Sequence, residues 1–228
     1  MLLLFDIDGT LMQGATAEHS AALHEALHEV HGITDPPRVE AAGRTDGEIA
    51  RNSLLLAGVS AQRIDARADD VRTAACEAYA RLCPGDLRAK VAPGIPALLD
   101  RLSDVDGVTL ALVTGNYEPI ARLKLRRAGI GRYFPSDQGG FGSDDEERAA
   151  LPGIARTRAG GDSTPFPRNR TIVIGDTPRD IACARADGVR VLAVATGPFA
   201  AHALTGADAV ARDAQALTPL LLSALDGT

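Results

Sequence analysis

The stretch FDIDGT, residues 5–10, directly follows the apolar residues 1–4 and places two acids, Asp6 and Asp8, one residue apart. Two like charges at this spacing repel each other, and an unpaired charge is costly to bury. An apolar run of this kind is typical of a buried strand. The stretch therefore predicts a strand end where a cation or a chemical role compensates for the two acids.

Composition narrows the class of protein. Of the 228 residues, 45% are hydrophobic, which is enough for a sizeable core. The net charge of −6, the aromatic content of 4% and the absence of Trp argue against nucleic-acid binding and against anionic membranes. The three cysteines form no C-x-x-C pair, and the N-terminal run is too short to span a membrane and lacks the features of a signal peptide. We therefore expect a globular cytoplasmic protein that binds neither nucleic acid nor membranes.

Short apolar runs alternate with helical patterns along the chain. The runs at 2–5, 108–113, 171–174 and 189–194 have the length of strands and are mostly unbroken, as in strands covered on both faces. This order predicts the α/β class, with a Rossmann-like parallel sheet and helices on both of its faces.

A long segment separates the first two predicted strands, far longer than one crossover connection needs. Helical patterns fill much of it, and glycine and proline break them at 13–15 and 83–94. We therefore predict a catalytic core of residues 1–12 and 88–228, with a helical cap of residues 13–87 inserted after the first strand. The predicted helical stretches of the cap are 15–32, 44–58 and 60–82, and the longest loop-like composition is at 159–170.

Three of the predicted strands end in polar motifs. They are DIDGT at 6–10, TGN at 114–116 and GDTPRD at 175–180. Ligands of open parallel sheets bind at the carboxyl ends of the strands, so we expect these motifs to share one rim. Gathered carboxylates suit Mg²⁺, and amides and hydroxyls at helix starts suit a phosphate.

DIDGT, TGN and GDTPRD, in this order and with a helical insertion after the first, resemble the haloacid dehalogenase (HAD) superfamily of aspartate-nucleophile hydrolases. Residues 114–134 and 175–189 resemble its capped phosphatase branch, including the phosphoglycolate phosphatases. The resemblance implies a magnesium-dependent phosphoric monoester hydrolase that acts on a small phosphorylated metabolite. We expect it to be a monomer or a homodimer.

The resemblance also implies roles for individual residues. Asp6 would attack phosphorus and form an aspartyl-phosphate, and Asp8 would protonate the leaving oxygen and then activate water. The implied metal ligands are Asp6, the backbone carbonyl of Asp8, Asp176 and Asp180. The residues implied to hold phosphate oxygens are Thr114, Gly115 and Asn116.

Some of these residues also have a purely structural interpretation. Thr177 and Asp180 have the spacing of a helix N-cap and its N3 acid, so Asp180 is predicted equally well as a capping residue and as a metal ligand. Asn116 is predicted either to bind phosphate or to cap a helix at 117–128.

The sequence departs from the family pattern in the residue that supplies positive charge to the catalytic site. The family usually supplies a lysine that joins nucleophile and phosphate, and the chain has only Lys90 and Lys124. Lys124 lies eight residues beyond Asn116, which predicts a position roughly 12 Å down a helix leading away from the rim. Arg148, at about the usual sequence distance before Asp176, is therefore predicted to replace the lysine. The alternative is a surface helix pair of Arg148 with Asp144.

Two features bear on the substrate and on the type of reaction. Asp8 favours phosphate esters, because family members that cleave haloacids or phosphonates generally lack this acid. A phosphosugar mutase of the same superfamily and a non-catalytic phosphate-binding regulator stay open as alternatives. Arg44, in a segment similar to the cap of phosphoglycolate-phosphatase-like members, is predicted to meet a substrate carboxylate or second phosphate. Alternatively, this segment only begins a helix at 45–57, with Thr45 as its N-cap.

Overall fold

The computed structural model describes residues 1–161 and 164–226. Within these residues, six parallel strands form one sheet in the order β3-β2-β1-β4-β5-β6. The strands are β1 (Leu2–Phe5), β2 (Thr109–Thr114), β3 (Gly140–Phe141), β4 (Thr171–Gly175), β5 (Arg190–Val194) and β6 (Ala209–Ala211). The predicted α/β class with a Rossmann-like parallel sheet is confirmed. Residues 162–163 of the predicted loop and 227–228 of the predicted core lie outside the described residues.

Helices cover both faces of the sheet, and the strands show why. Leu3 and Phe5 of β1 belong to one buried cluster, whereas Leu2 and Leu4 belong to the other, because successive side chains of a strand point to opposite faces. Helices α4, α5 and α8 contribute to the first cluster, and α6 and α7 to the second. The helices after β1 are α1 (Ala17–His31), α2 (Asp46–Leu56), α3 (Ala61–Leu82), α4 (Ile95–Ser103), α5 (Glu118–Arg127), α6 (Leu151–Gly160), α7 (Pro178–Asp187) and α8 (Ala214–Asp226).

Helices α1, α2 and α3 all lie between β1 and β2, within residues 13–87, which we call the inserted segment. Helices α2 and α3 each begin with a side-chain N-cap. The Thr45 hydroxyl accepts from the Glu48 N–H, and the Ser60 hydroxyl accepts from the Arg63 N–H. Helix α1 packs against α3, and α3 in turn contacts α5 of the sheet layer. The inserted segment therefore packs at the carboxyl edge of the sheet, where β2 ends and α5 begins.

The strand order brings the carboxyl ends of β1 and β4 side by side. Phe5 is paired in register with Ile174, so the residues that follow each strand emerge together. Strands β2 and β3 lie on one side of β1, and β4, β5 and β6 lie on the other. Where the strand order reverses in this way, a crevice opens at the carboxyl edge of the sheet. None of the helices in the described residues is both long enough and apolar enough to cross a membrane.

Candidate active site

Three buried carboxylates meet at this crevice. Asp6 follows β1, Asp176 follows β4, and Asp180 lies in the first turn of α7. One ligand oxygen from each lies within 4.8 Å of the others. Three carboxylates this close are unfavourable unless positive charge joins them.

Asp176 carries a free oxygen at the centre of the cluster. Its Oδ1 accepts a hydrogen bond from the Thr10 hydroxyl at 3.0 Å, whereas its Oδ2 is buried and has no hydrogen-bond partner among the described residues. An added Cβ at Gly9 or Gly197 would overlap this carboxylate, so only glycine lets the backbone approach so closely. A free buried oxygen beside two further carboxylates fits a hard divalent cation, which prefers oxygen ligands.

Arg148 supplies positive charge to the cluster from the short 3₁₀ turn that precedes α6. Its Nη2 donates to Asp6 Oδ1 at 3.1 Å and also to Asp180 Oδ1. The side chain is 7% exposed, and its Nε has no partner among the described residues. Asp144, the alternative partner considered from the sequence, instead pairs with Arg158. The structure therefore brings Arg148 to Asp6 and leaves its buried Nε without a partner among the described residues.

Asp180 has both of its oxygens engaged by the chain itself. Oδ2 accepts from the Thr177 N–H at 2.9 Å and from the Thr177 hydroxyl at 2.7 Å. The Thr177 hydroxyl accepts in turn from the Asp180 N–H at 3.3 Å, which completes a capping box at the start of α7. Oδ1 accepts from Arg148. Asp180 thus fulfils the capping interpretation while lying within the carboxylate cluster.

Asp8 is bound by Lys124, which corrects the expectation that Lys124 lies far from the rim. The Lys124 ammonium is 2.8 Å from Asp8 Oδ1 and 2.6 Å from Asp8 Oδ2, and its side chain is fully buried. Asn116 Nδ2 also donates to Asp8 Oδ2 at 3.0 Å. The second acid of the motif is therefore held by groups from the loop after β2 and from α5.

The expectation was wrong because it counted helical rise alone. Helix α5 begins at Glu118, later than assumed, and helical side chains tilt toward the N-terminus. The long side chain of Lys124 therefore reaches back to the rim. Lys124 also falls on the apolar stripe of α5, between Ile120 and Ala128, and a lysine on such a stripe signals a buried, paired cation.

Two residues of the inserted segment, His19 and Asp46, complete a buried network that the sequence interpretation missed. Lys124 Nζ lies 3.1 Å from His19 Nδ1, and His19 Nε2 lies 3.0 Å from Asp46 Oδ2. Asp46 Oδ2 also accepts from the Tyr117 N–H at 2.7 Å. No motif marks His19, and its single position in an amphipathic helix gave no signal of a partner.

The TGN motif lies at the end of β2, beside Asp8. Gly115 and Asn116 line the cavity described below, whereas Thr114 is fully buried and its hydroxyl accepts from the Asn116 N–H at 3.3 Å. Helix α5 has no side-chain cap, so the prediction that Asn116 caps it is wrong. The amide of Asn116 binds Asp8 instead.

Arg44 lies at the junction of the inserted segment and the rim. Its Nε donates to the Glu40 carbonyl at 2.8 Å, and its guanidinium pairs with Glu48. The adjacent Thr45 caps α2, so the alternative interpretation of this segment is also realised. Arg44 also lines the cavity.

Burial and charge shift the pKa values of the acids in different directions. Burial raises the pKa of Asp6 to about 7; Arg148 lowers it, and the charges of Asp180 and Asp8 raise it. Burial, with the charges of Asp6 and Asp180, raises the pKa of Asp176 to about 8. Burial also raises the pKa of Asp8, but Lys124, His19 and Asn116 outweigh it and hold that pKa below its ordinary value. A divalent cation at Asp6 and Asp176 would favour their ionised forms.

A cavity of about 490 Å³ opens above these groups, between the rim and the inserted segment. From the core, Asp6, Asp8, Arg148 and Asp176 line it. From the inserted segment come the apolar Leu23 and Ile49 together with the polar His19, Arg44 and Asp46. This volume lies within the range of about 300–1,000 Å³ that encloses whole small-molecule ligands.

Known proteins resemble the chain in sequence. A family model described as haloacid dehalogenase-like hydrolase matches residues 1–188. A phosphoglycolate phosphatase from Rhodospirillum rubrum is 33% identical over 202 residues, which cover 85% of this chain and 79% of the relative.

Solved structures resemble the chain in fold. A hydrolase from Pseudomonas syringae superimposes with a TM-score of 0.68 at 21% identity, covering 98% of each chain. A Bacteroides vulgatus protein proposed to be a β-phosphoglucomutase gives a TM-score of 0.66 at 22% identity, covering 99% of this chain and 88% of the other. At such identities the likeness concerns the fold alone.

Proposed function

Because the chain belongs to the haloacid dehalogenase-like hydrolase family, we propose that it is a magnesium-dependent phosphatase that hydrolyses small phosphate monoesters through an aspartyl-phosphate on Asp6. The observation that carries the proposal is the pairing of Asp6 with Arg148 beside the free Oδ2 of Asp176. A nucleophilic carboxylate needs such positive charge to meet a negative phosphate.

Asp6 is the nucleophile of the proposed reaction. Its carboxylate attacks phosphorus, the bond to the leaving oxygen breaks, and the phosphoryl group passes to Asp6. Arg148 lines the cavity and would donate a guanidinium N–H to a phosphate oxygen while Nη2 stays on Asp6. Gly115 and Asn116 also line the cavity, and the Gly115 N–H would donate to the same phosphate.

Asp8 moves the protons of the proposed reaction. In its protonated form it donates the proton to the leaving oxygen, and as the resulting carboxylate it takes one from the water that attacks the aspartyl-phosphate. This frees phosphate and restores both Asp6 and the protonated Asp8. Asp8 lines the cavity and remains partly exposed, so both the leaving group and water can reach it.

The proposed metal ligands are Asp6, Asp176 and the backbone carbonyl of Asp8. When bound, Mg²⁺ would offset the charge of nucleophile and phosphate and polarise the reacting group. We assign Asp180 to holding Arg148 and the start of α7, since both of its oxygens already accept hydrogen bonds.

The proposed substrate is a small phosphorylated metabolite, with phosphoglycolate as one candidate. The inserted segment would act as a cap that closes over the rim and excludes water. Arg44 would meet a substrate carboxylate by leaving Glu48. The cavity volume also allows a larger organic part, such as a sugar.

The test is hydrolysis of p-nitrophenyl phosphate by the purified protein, with magnesium and with chelator, compared with Asp6→Asn. We expect magnesium-dependent release of phosphate by the wild type and its loss in the variant, because an amide cannot form the acyl phosphate. Absence of hydrolysis by the wild type across alkyl, aryl and sugar phosphates would instead favour a phosphate-binding regulator. Transfer of the phosphoryl group to a sugar phosphate rather than to water would identify a mutase.

A further inference from the structure

The buried network behind Asp8 carries a further inference, which rests on the proposed function. We propose that Lys124 is the positioning residue for the proton-transfer acid Asp8, and that His19 fixes the Lys124 ammonium from the inserted segment. Lys124 acts through Asp8, and His19, which lines the cavity from the inserted segment, acts through Lys124.

The contacts of Lys124 define the orientation of the Asp8 carboxylate. Its ammonium approaches both carboxylate oxygens, at 2.8 Å and 2.6 Å, and Asn116 approaches one of them at 3.0 Å. The Lys124 side chain is 0% exposed, whereas that of Asp8 is 21% exposed. The carboxylate is therefore held from its buried side and keeps its open side toward the cavity. Any rotation of its plane breaks a charge-assisted hydrogen bond.

The donor and acceptor properties of these side chains fix the direction of each hydrogen bond in the network. An ammonium only donates, so His19 Nδ1, 3.1 Å from Lys124 Nζ, is the acceptor. The imidazole proton then lies on His19 Nε2, which donates to Asp46 Oδ2 at 3.0 Å. Asp46 is held in turn by the Tyr117 N–H. Lys124 thus directs two hydrogen bonds to Asp8 and one to His19, which fixes its position.

The network joins the two parts of the chain. His19 lies in α1 and Asp46 begins α2, whereas Lys124 lies in α5 and Asp8 at the end of β1. A fully buried lysine is costly unless it is paired, so the position of its ammonium depends on partners from both sides. The orientation of Asp8 therefore depends on the seating of the inserted segment.

The step most sensitive to this orientation is hydrolysis of the aspartyl-phosphate. There Asp8 takes a proton from water, the water oxygen bonds to phosphorus, and the bond to Asp6 breaks. A general base must lie within hydrogen-bond reach of that water. Formation of the aspartyl-phosphate from an aryl phosphate needs no proton donor, because the aryloxide is a good leaving group. Loss of Lys124 should therefore slow the second step and spare the first.

The experiment is rapid-mixing and steady-state kinetics of Lys124→Met with p-nitrophenyl phosphate and magnesium. We expect kcat to fall about 100-fold, with KM falling in parallel, so that kcat/KM stays within about threefold of the wild type. We also expect a burst of one nitrophenol per active site and a phosphorylated protein in the intact mass spectrum. Lys90→Met, which removes the other lysine from an exposed position, is the matched control.

His19→Phe is the second variant and keeps the test decisive if Lys124→Met fails to fold. It retains a ring against Tyr79 but removes the acceptor for Lys124, so the same burst with a fall in kcat of about tenfold is expected. His28→Phe on the exposed side of α1 is its control. Equal loss of kcat and kcat/KM without a burst, or no loss in folded variants, would overturn the inference. Absence of wild-type hydrolysis would instead refute the proposed phosphatase activity.

Discussion

Arg148 is the only cation that pairs with Asp6 in the part of the chain that the structure describes. Replacing it with alanine removes the donor to the nucleophile and a guanidinium that lines the cavity. We expect Arg148→Ala to lower kcat with p-nitrophenyl phosphate by about 100- to 1,000-fold, the usual cost of losing one preorganised donor. Steady-state kinetics at saturating magnesium measure this.

The control for this prediction is Arg158→Ala, which removes an exposed arginine paired with Asp144. Its kcat should match the wild type. Because Arg148 is buried between Asp6 and Asp180, its loss also lowers stability, so thermal unfolding of both variants must accompany the kinetics. Near-normal turnover by folded Arg148→Ala would remove Arg148 from the mechanism.

At the residue scale, the sequence predicted that Arg148 approaches Asp6 but not that Lys124 approaches Asp8. The position of Arg148 before the third motif was enough to predict that it approaches Asp6, because the fold fixes where that turn returns to the rim. The contact of Lys124 with Asp8 depends instead on where α5 begins and how far the side chain tilts back, and the estimate from helical rise misplaced it. The role of His19 depends on tertiary contact with α5, which no local pattern encodes.

At the element scale, Gly115 is where the inserted segment docks on the sheet. The Asp46 N–H donates to the Gly115 carbonyl at 2.8 Å, and an added Cβ at Gly115 would overlap the Arg44 carbonyl. We expect Gly115→Ala to displace the start of α2 and to lower kcat/KM about 100-fold, because displacements of about 1 Å near a site have such effects. The measurement is kcat/KM with a small alkyl phosphate.

Gly85→Ala is the matched control, since its added Cβ would meet only the Arg127 Nη1 at an ordinary 3.8 Å. Hydrogen exchange of α1 and α2 should rise in Gly115→Ala and stay unchanged in Gly85→Ala, because only the former loosens the docking contact. Unchanged kinetics and exchange in Gly115→Ala would show that the inserted segment does not need this contact.

The elements themselves were largely predictable. The four predicted strands are present, because unbroken apolar runs of strand length reflect burial on both faces. Strands β3 and β6 were not predicted, since Gly140–Phe141 and Ala209–Ala211 are too short to show a periodic pattern. They exist because neighbouring strands offer them a paired edge, a tertiary cause that a local pattern cannot reveal.

At the scale of the whole molecule, the net charge is negative, whereas several positive side chains are gathered at one site. The net charge is −6, yet Arg148, Lys124 and Arg44 all approach the one cavity in which the acids gather. With a negative net charge, any anionic ligand must be met by such local cations. We therefore expect stability to depend on how the clustered acids are neutralised, and hence on pH and on the proposed magnesium.

The last prediction concerns this dependence in chelator. The folded pKa values of Asp6 and Asp176 are raised to about 7 and about 8, above the unfolded value of about 3.9. Between about pH 4 and pH 8, the folded state therefore holds protons that the unfolded state has released, so this contribution to stability falls as pH rises. At the proposed metal site, magnesium would replace those protons, so we expect its stabilising effect to grow over the same range.

The measurement is the Tm with magnesium minus the Tm in chelator, from pH 5.5 to pH 8.5. Taking this difference removes the contribution of His31 to stability. Burial lowers the pKa of His31, so its contribution rises with pH, and His31 does not line the cavity. We expect the difference to increase steadily with pH in the wild type and to shrink in Asp176→Asn, which lacks one of the titrating ligands. A difference that does not vary with pH would mean that magnesium does not displace protons from Asp6 and Asp176, and the cluster would not be its site.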